Sequence, residues 1–185
     1  MQKIYDEQSR ALELRHANRR MLTRYAHWSD YMLTVTFGKL HTNAMPNEEQ
    51  VCDQLRHMQC TLNTKVWHNR TRFNQKCKIL FIPIVEGART ETRIHAHILL
   101  GHVQSRELVE EYITNYIPKS RWLRPTYDLQ DVHDADGIAW YLSKETAGKN
   151  VDAVLWQIAS MRSRLMAETI LPRSKPNRMY GQHRA

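Results

Sequence analysis

Two histidines share the apolar run RIHAHILLG at residues 93–101, with only Ala96 between His95 and His97. On a strand, alternate side chains leave from the same face. Both imidazoles would then point one way while Ile94, Ala96 and Ile98 point into a core. The rings would stand about 7 Å apart along the chain, close enough to converge on one metal ion. Taken alone, the pair also reads as the polar side of a half-exposed strand. A third ligand separates the two readings. Glu86, which closes the preceding apolar run KILFIPIVE (78–86), is the candidate, and Glu91 is a weaker one. A tight turn over 87–92 would leave Glu86 toward the Leu99 end of the returning strand, whereas a bulge or wider loop would bring it nearer the histidines. The residue pattern does not fix that register.

A second constellation lies in WYLSKE (140–145). At helical spacing Tyr141, Lys144 and Glu145 share one face. A tyrosine, a cation and a carboxylate together can attack a phosphodiester. A phenol, with a pKa of about 10, is a poor nucleophile until ionised but a good leaving group afterwards. Lys144 would steady the phosphate's charge, and a metal would polarise the phosphate as a Lewis acid. The resulting tyrosyl phosphodiester keeps the energy of the broken bond, so a later hydroxyl could reseal the strand without ATP. The spacing Y-x-x-K is weakly specific by itself. Tyr112 and Tyr116 also stand one helical turn apart but lack the lysine, and they read as packing residues.

The elements that must position these groups follow from periodicity. The first thirty residues look helical and polar. YMLTVTFG (31–38) is rich in β-branched and aromatic residues and reads as a strand ending at Gly38. Val51, Leu55, Met58, Leu62 and Val66 mark one face of a helix with Asn47 as its cap. KILFIPIVE is the second strand, with Pro83 placing it at an edge or on a bulge, and RIHAHILLG is the third. SRELVEEYITNYI (105–117) is a helix capped by Ser105, TYDLQDV (126–132) is an extended piece, and Asp134 or Asp136 caps a helix that stops at Gly148. A last amphipathic helix is expected from about 151 to 168. The order strand–helix–strand–strand–helix–strand is the split βαβ pattern. It predicts an α+β, ferredoxin-like domain with an antiparallel sheet and helices packed on one face.

Composition bounds the class. The 185 residues suffice for one domain with short extensions. Lys and Arg number 27 against 19 acids, a net charge of +8, which points to a polyanionic partner, nucleic acid before an acidic membrane. The cations cluster in RHANRRMLTR (15–24), KSRWLR (119–124) and PRSKPNRMYGQHR (172–184), the last reading as a tail that tracks phosphates. No apolar run reaches the about 20 residues of a membrane span, and the first residues lack a signal peptide's apolar stretch. Cys52, Cys60 and Cys77 have no metal-ligand spacing and an odd count, which suits a reducing compartment. A cytoplasmic location is expected, or a nuclear one in a eukaryotic host.

TVTFG, then VEG and RIHAHILLG, then DGIAWYLSKE stand in the order, and on the elements, of the three motifs of the HUH endonucleases. Over about residues 31–148 the chain resembles the nuclease domain of rolling-circle replication initiators (Rep proteins) of the single-tyrosine type. Residues 1–30 would be a basic helical extension, 149–171 a C-terminal helix and 172–185 a basic flexible tail. The resemblance implies a single-stranded DNA nickase and strand-transferase. Tyr141 would become linked to the 5′-phosphate, leaving a free 3′-hydroxyl as primer. His95, His97 and Glu86 match the metal-binding set, with Mg²⁺ or Mn²⁺ the usual ion. Lys144 matches the third motif's lysine, and Glu145 would assist the metal. Thr36 of the first motif, Arg93, and Lys119, Arg121 and Arg124 are the candidate DNA contacts. Ala96 is smaller than the family's usual middle residue, and the first motif matches loosely.

No tyrosine lies four residues either side of Tyr141, so a full round would need a second protomer, as in a homo-oligomer, or a second visit. AGKN (147–150) is only a fragment of a phosphate-binding loop. Unwinding would therefore fall to a separate helicase, and synthesis to a host polymerase, acting on single-stranded or hairpin origin DNA. Trp122, Trp140 and Trp156 could stack bases, although Trp156 reads better as core. The alternatives are a relaxase or transposase of the same superfamily, or a catalytically inert DNA-binding protein.

Overall fold

The computed structural model describes residues 2–38, 44–68, 78–87, 93–144, 153–155 and 157–159. In chain order the elements are α1 (Gln2–Ala26), β1 (Tyr31–Phe37), α2 (Glu48–Trp67), β2 (Leu80–Glu86), β3 (His95–Gly101), α3 (Arg106–Tyr116), a 3-10 turn (Ile117–Lys119), β4 (Leu123–Asp131) and α4 (Ala135–Ser143). The four strands form one sheet in the order β2-β3-β1-β4, and every neighbouring pair is antiparallel. The split βαβ topology expected from the element order is present, and the class is α+β.

Local chemistry sets the helix starts. Asn47 accepts from the Gln50 amide at 2.9 Å while the Gln50 side chain accepts from the Asn47 amide at 3.0 Å, a reciprocal cap on α2. Ser105 caps α3 through the Leu108 amide. Of the two aspartates considered for α4, Asp134 is the cap, its carboxylate accepting from the Gly137 amide at 2.9 Å. A Cβ at Gly137 would meet that carboxylate, so a larger residue there would make the Asp134 side chain shift. α4 ends at Ser143; the expected stop at Gly148 lies outside the described residues.

The helices cover both faces of the sheet, not one. α2 and α3 bury Leu55, Met58, Leu62, Val109 and Ile113 against Leu33, Val35, Phe81, Ile98 and Leu100. On the opposite face, Leu22, Tyr25 and Ala26 of α1 and Ala139 and Leu142 of α4 close over Met32, Ile82, Ile84 and Leu99. Each fully buried leucine or isoleucine contributes about 1.5–3 kcal/mol, so the second layer is a full core. The end of α1 is thus built into the domain. The unbroken apolar run of β2, buried at all seven positions, was the sequence signal for a sheet covered on both sides.

Pro83 lies on the edge strand, as its missing N–H requires. That edge is covered by residues 153–155: the Val85 amide donates to Ala153 at 2.8 Å, and the Leu155 amide donates to Pro83 at 3.0 Å. Val154 forms an isolated antiparallel bridge with Ile84. The helix expected to begin near 151 is therefore extended backbone at 153–155. The free edge of β2 offers its hydrogen bonds there, and that outweighs the amphipathic spacing. Most of the remaining segment and the 172–185 tail lie outside the described residues. Among the described residues no helix is long and apolar enough to cross a membrane.

Candidate metal centre

Alternation along β3 sends Leu99, His97 and His95 to the face covered by α1 and α4. Solvent access grows along that row: Leu99 is fully buried, His97 is buried, and His95 is partly open. The site therefore forms where the second core runs out. The β2–β3 ladder places Glu86 opposite His95 and Ile82 opposite Leu99. The register left open by the sequence is resolved in favour of the histidines. An antiparallel hairpin holds the end of its first strand against the start of its second, so no turn length would have taken Glu86 to Leu99.

Ligand atoms of Glu86, His95 and His97 all lie within 4.8 Å of one another. The imidazoles are mutually perpendicular, with centroids 5.2 Å apart. His95 Nδ1 lies 3.1 Å from the Arg93 carbonyl, which can only accept, so Nδ1 carries a hydrogen. Its Nε2 faces Glu86 Oε2 at 2.8 Å. His97 Nδ1 meets Thr34 Oγ1 at 2.9 Å, and its Nε2 stands 3.4 Å from Glu86 Oε1. His97 Nε2 is buried and makes no hydrogen bond, although the carboxylate is within ion-pair range. With Nδ1 donating to Thr34, that nitrogen turns a lone pair toward an anion, an arrangement that a cation between them relieves.

Burial pushes the Glu86 carboxyl up, but the hydrogen bond and charge of His95 beside it outweigh that and hold the group at about 2. Glu86 is therefore an anion at any physiological pH. Two imidazoles and a carboxylate, with each imidazole's second nitrogen held by a carbonyl or hydroxyl, form a group that could bind a metal ion. Thr34 and the Arg93 carbonyl are the supporting groups that residue spacing did not single out. Thr34 was findable, because it shares the Thr36 face by strand alternation.

The Tyr141 ring packs edge-on against His97, centroids 5.5 Å apart. It is 42% exposed, so its face of α4 opens to solvent beside the triad. Lys144 Nζ lies 5.5 Å from the Tyr141 ring centroid and 4.1 Å from that of Trp140. Tyr141, Lys144 and the triad are thus brought together, while Glu145 and Glu91 lie outside the described residues.

Thr36 pairs with His95 across β1 and β3 and shares its face. Arg93 is exposed and supplies the carbonyl that holds His95. Lys119, Arg121 and Arg124 reach the same end of the sheet, because Leu123 pairs with Phe37 and the Gly38 amide donates to Trp122. Trp122 and Leu123 of that segment belong to the first core, on the α2–α3 side. Arg121 covers the Trp122 ring at 5.3 Å, and that indole packs on the first core. Trp156 is outside the described residues.

Tyr112 and Tyr116 belong to the first core, on the far face from the triad. They stack at 5.1 Å. Tyr112 OH bonds Thr61 Oγ1 at 2.6 Å, and Tyr116 OH accepts from Gln54 at 2.6 Å. Burial pushes both phenols up, that of Tyr116 to about 12, so neither is a ready nucleophile.

Comparison with protein-family models, with curated proteins and with solved structures gives no match to this chain.

Proposed function

We propose that the chain is a metal-dependent, tyrosine-nucleophile nickase and strand-transferase of single-stranded DNA, of the kind that initiates rolling-circle replication. One observation carries the reading: a half-exposed phenol on α4 stands edge-on to His97 of the buried Glu86–His95–His97 group, on the same face of the sheet. The basic balance of the chain and the three ordered motifs support the substrate class.

Glu86, His95 and His97 would hold the ion, Mn²⁺ or Mg²⁺, while Thr34 and the Arg93 carbonyl orient the imidazoles. When bound, the ion supplies Lewis-acid polarisation of the scissile phosphate. Tyr141 Oη attacks phosphorus as it loses its proton. The new P–O bond forms to the tyrosine as the bond to the 3′-oxygen breaks, and that oxygen takes up a proton to become a free 3′-hydroxyl. Lys144 neutralises charge on the non-bridging oxygens. Attack by another 3′-hydroxyl on the tyrosyl phosphate reverses the step and releases the phenol.

The test uses a random-sequence pool of 3′-labelled single strands with Mn²⁺. An SDS-resistant adduct should carry the 3′ label and not a 5′ label, map to Tyr141 by peptide mass, and vanish in Tyr141→Phe and with EDTA. Absence of any adduct from the wild-type protein across the pool, with either ion, rejects the reading.

A further inference from the structure

Trp140 is 51% exposed and belongs to neither apolar cluster, an uncommon position for an indole. It precedes Tyr141 on α4, and one helical turn further on Lys144 lays its ammonium 4.1 Å from the indole centroid and 5.5 Å from that of the phenol. One cation thus spans an open indole and the phenol beside the triad. Packing among the described residues does not account for the indole, and the excess of 27 cations over 19 acids favours a polyanion at such a surface.

We propose that Trp140 is a stacking platform for an unpaired nucleobase flanking the phosphate that Tyr141 engages. The identity of the strand as DNA rests on the nickase reading above. Lys144 cannot cover the indole face and neutralise a phosphate at once. A full anion attracts the ammonium more strongly than a ring quadrupole does, so strand binding draws Lys144 off the indole and bares its face. A base can then stack on it without regard to sequence, since every base has a π-face. In a duplex both faces of each base are already taken, so the platform selects unpaired nucleotides. The exchange links the two ends of one nucleotide: the phosphate takes the lysine, and the base takes the indole.

The experiment measures binding of labelled (dT)12, and of an abasic strand of equal length, in EDTA, so that neither metal nor cleavage enters. Trp140→Ala and Trp140→Leu should weaken (dT)12 by about five- to hundredfold, with Trp140→Phe restoring most of the loss. The abasic strand should bind wild type and all three variants alike. Equal (dT)12 affinity for wild type and either aliphatic variant overturns the proposal, as does an equal loss with the abasic strand. Adduct formation with Mn²⁺ is scored on the same proteins. Trp140-dependent stacking without any wild-type adduct sinks the nickase and leaves the platform, whereas an adduct with Trp140-independent binding does the reverse.

Discussion

The Tyr141 ring meets the His97 ring edge-on, with centroids 5.5 Å apart and planes at 80°. The contact joins the last described helix to a central strand, so the phenol and the ligand group are referenced to each other by packed elements and not by loops. The ring has two separable parts: its aromatic body supports an imidazole, and its hydroxyl is the nucleophile of the proposed step.

Those two roles divide between two substitutions. Tyr141→Phe keeps the ring, so urea unfolding should stay within about 0.5 kcal/mol of wild type and Mn²⁺ affinity should be unchanged. Tyr141→Ala removes the aromatic pair, should cost about 1 kcal/mol, and should loosen His97 enough to weaken Mn²⁺ binding. Both variants should lose the adduct.

Thr34 fixes the orientation of His97 through Nδ1. Thr34→Val removes the hydroxyl at nearly constant volume and should weaken Mn²⁺ binding by about 10- to 100-fold, read by titration of the ion's EPR signal. Because both imidazoles must be free of protons at their ligating nitrogens, affinity should rise with pH in wild type and variant alike. An unchanged affinity in Thr34→Val would show that the hydroxyl does not orient the ligand.

The Glu86 carboxyl stands at about 2 in the fold against an ordinary 4.5. A depressed carboxyl binds its proton more readily in the unfolded chain, so its stabilisation is complete above 4.5 and lost as pH falls from there toward 2. The full effect is on the order of 3 kcal/mol. In the metal-free protein, the stability advantage of wild type over Glu86→Gln should therefore shrink as pH falls across that window in urea titrations.

Tyr112 belongs to the core, where its hydroxyl bonds Thr61 and the Met58 carbonyl. Tyr112→Phe should cost about 1 kcal/mol in urea unfolding and leave adduct formation unaltered, the reverse of the Tyr141→Phe pattern.

Leu22 of α1 is fully buried beneath the sheet. Leu22→Ala should cost about 2–5 kcal/mol, a value that an appended helix would not give. Calorimetric or urea midpoints decide it.

Much of this was legible because it depends on neighbours in the chain. The caps at Asn47 and Ser105 are fixed within three residues of sequence, and the shared face of His95 and His97 follows from strand alternation alone. The second helical layer escaped because the apolar positions of the α1 end, Leu22, Tyr25 and Ala26, sit among arginines, and a polar majority hid a narrow buried stripe. The segment at 153–155 escaped because its spacing suits a helix while its actual partner is the open edge of β2, 70 residues away at the Ile84–Val154 bridge.

By itself, then, the sequence determined which side chains could act, their order, and the faces they share within one element, since these depend on backbone periodicity. Only the tertiary structure decided that Glu86 pairs with His95, that Thr34 holds His97, and that Tyr141 leans on His97 from another layer. Register, support and approach are set by contacts between segments distant in the chain. Their free energies belong to the packed whole, and no local pattern encodes them.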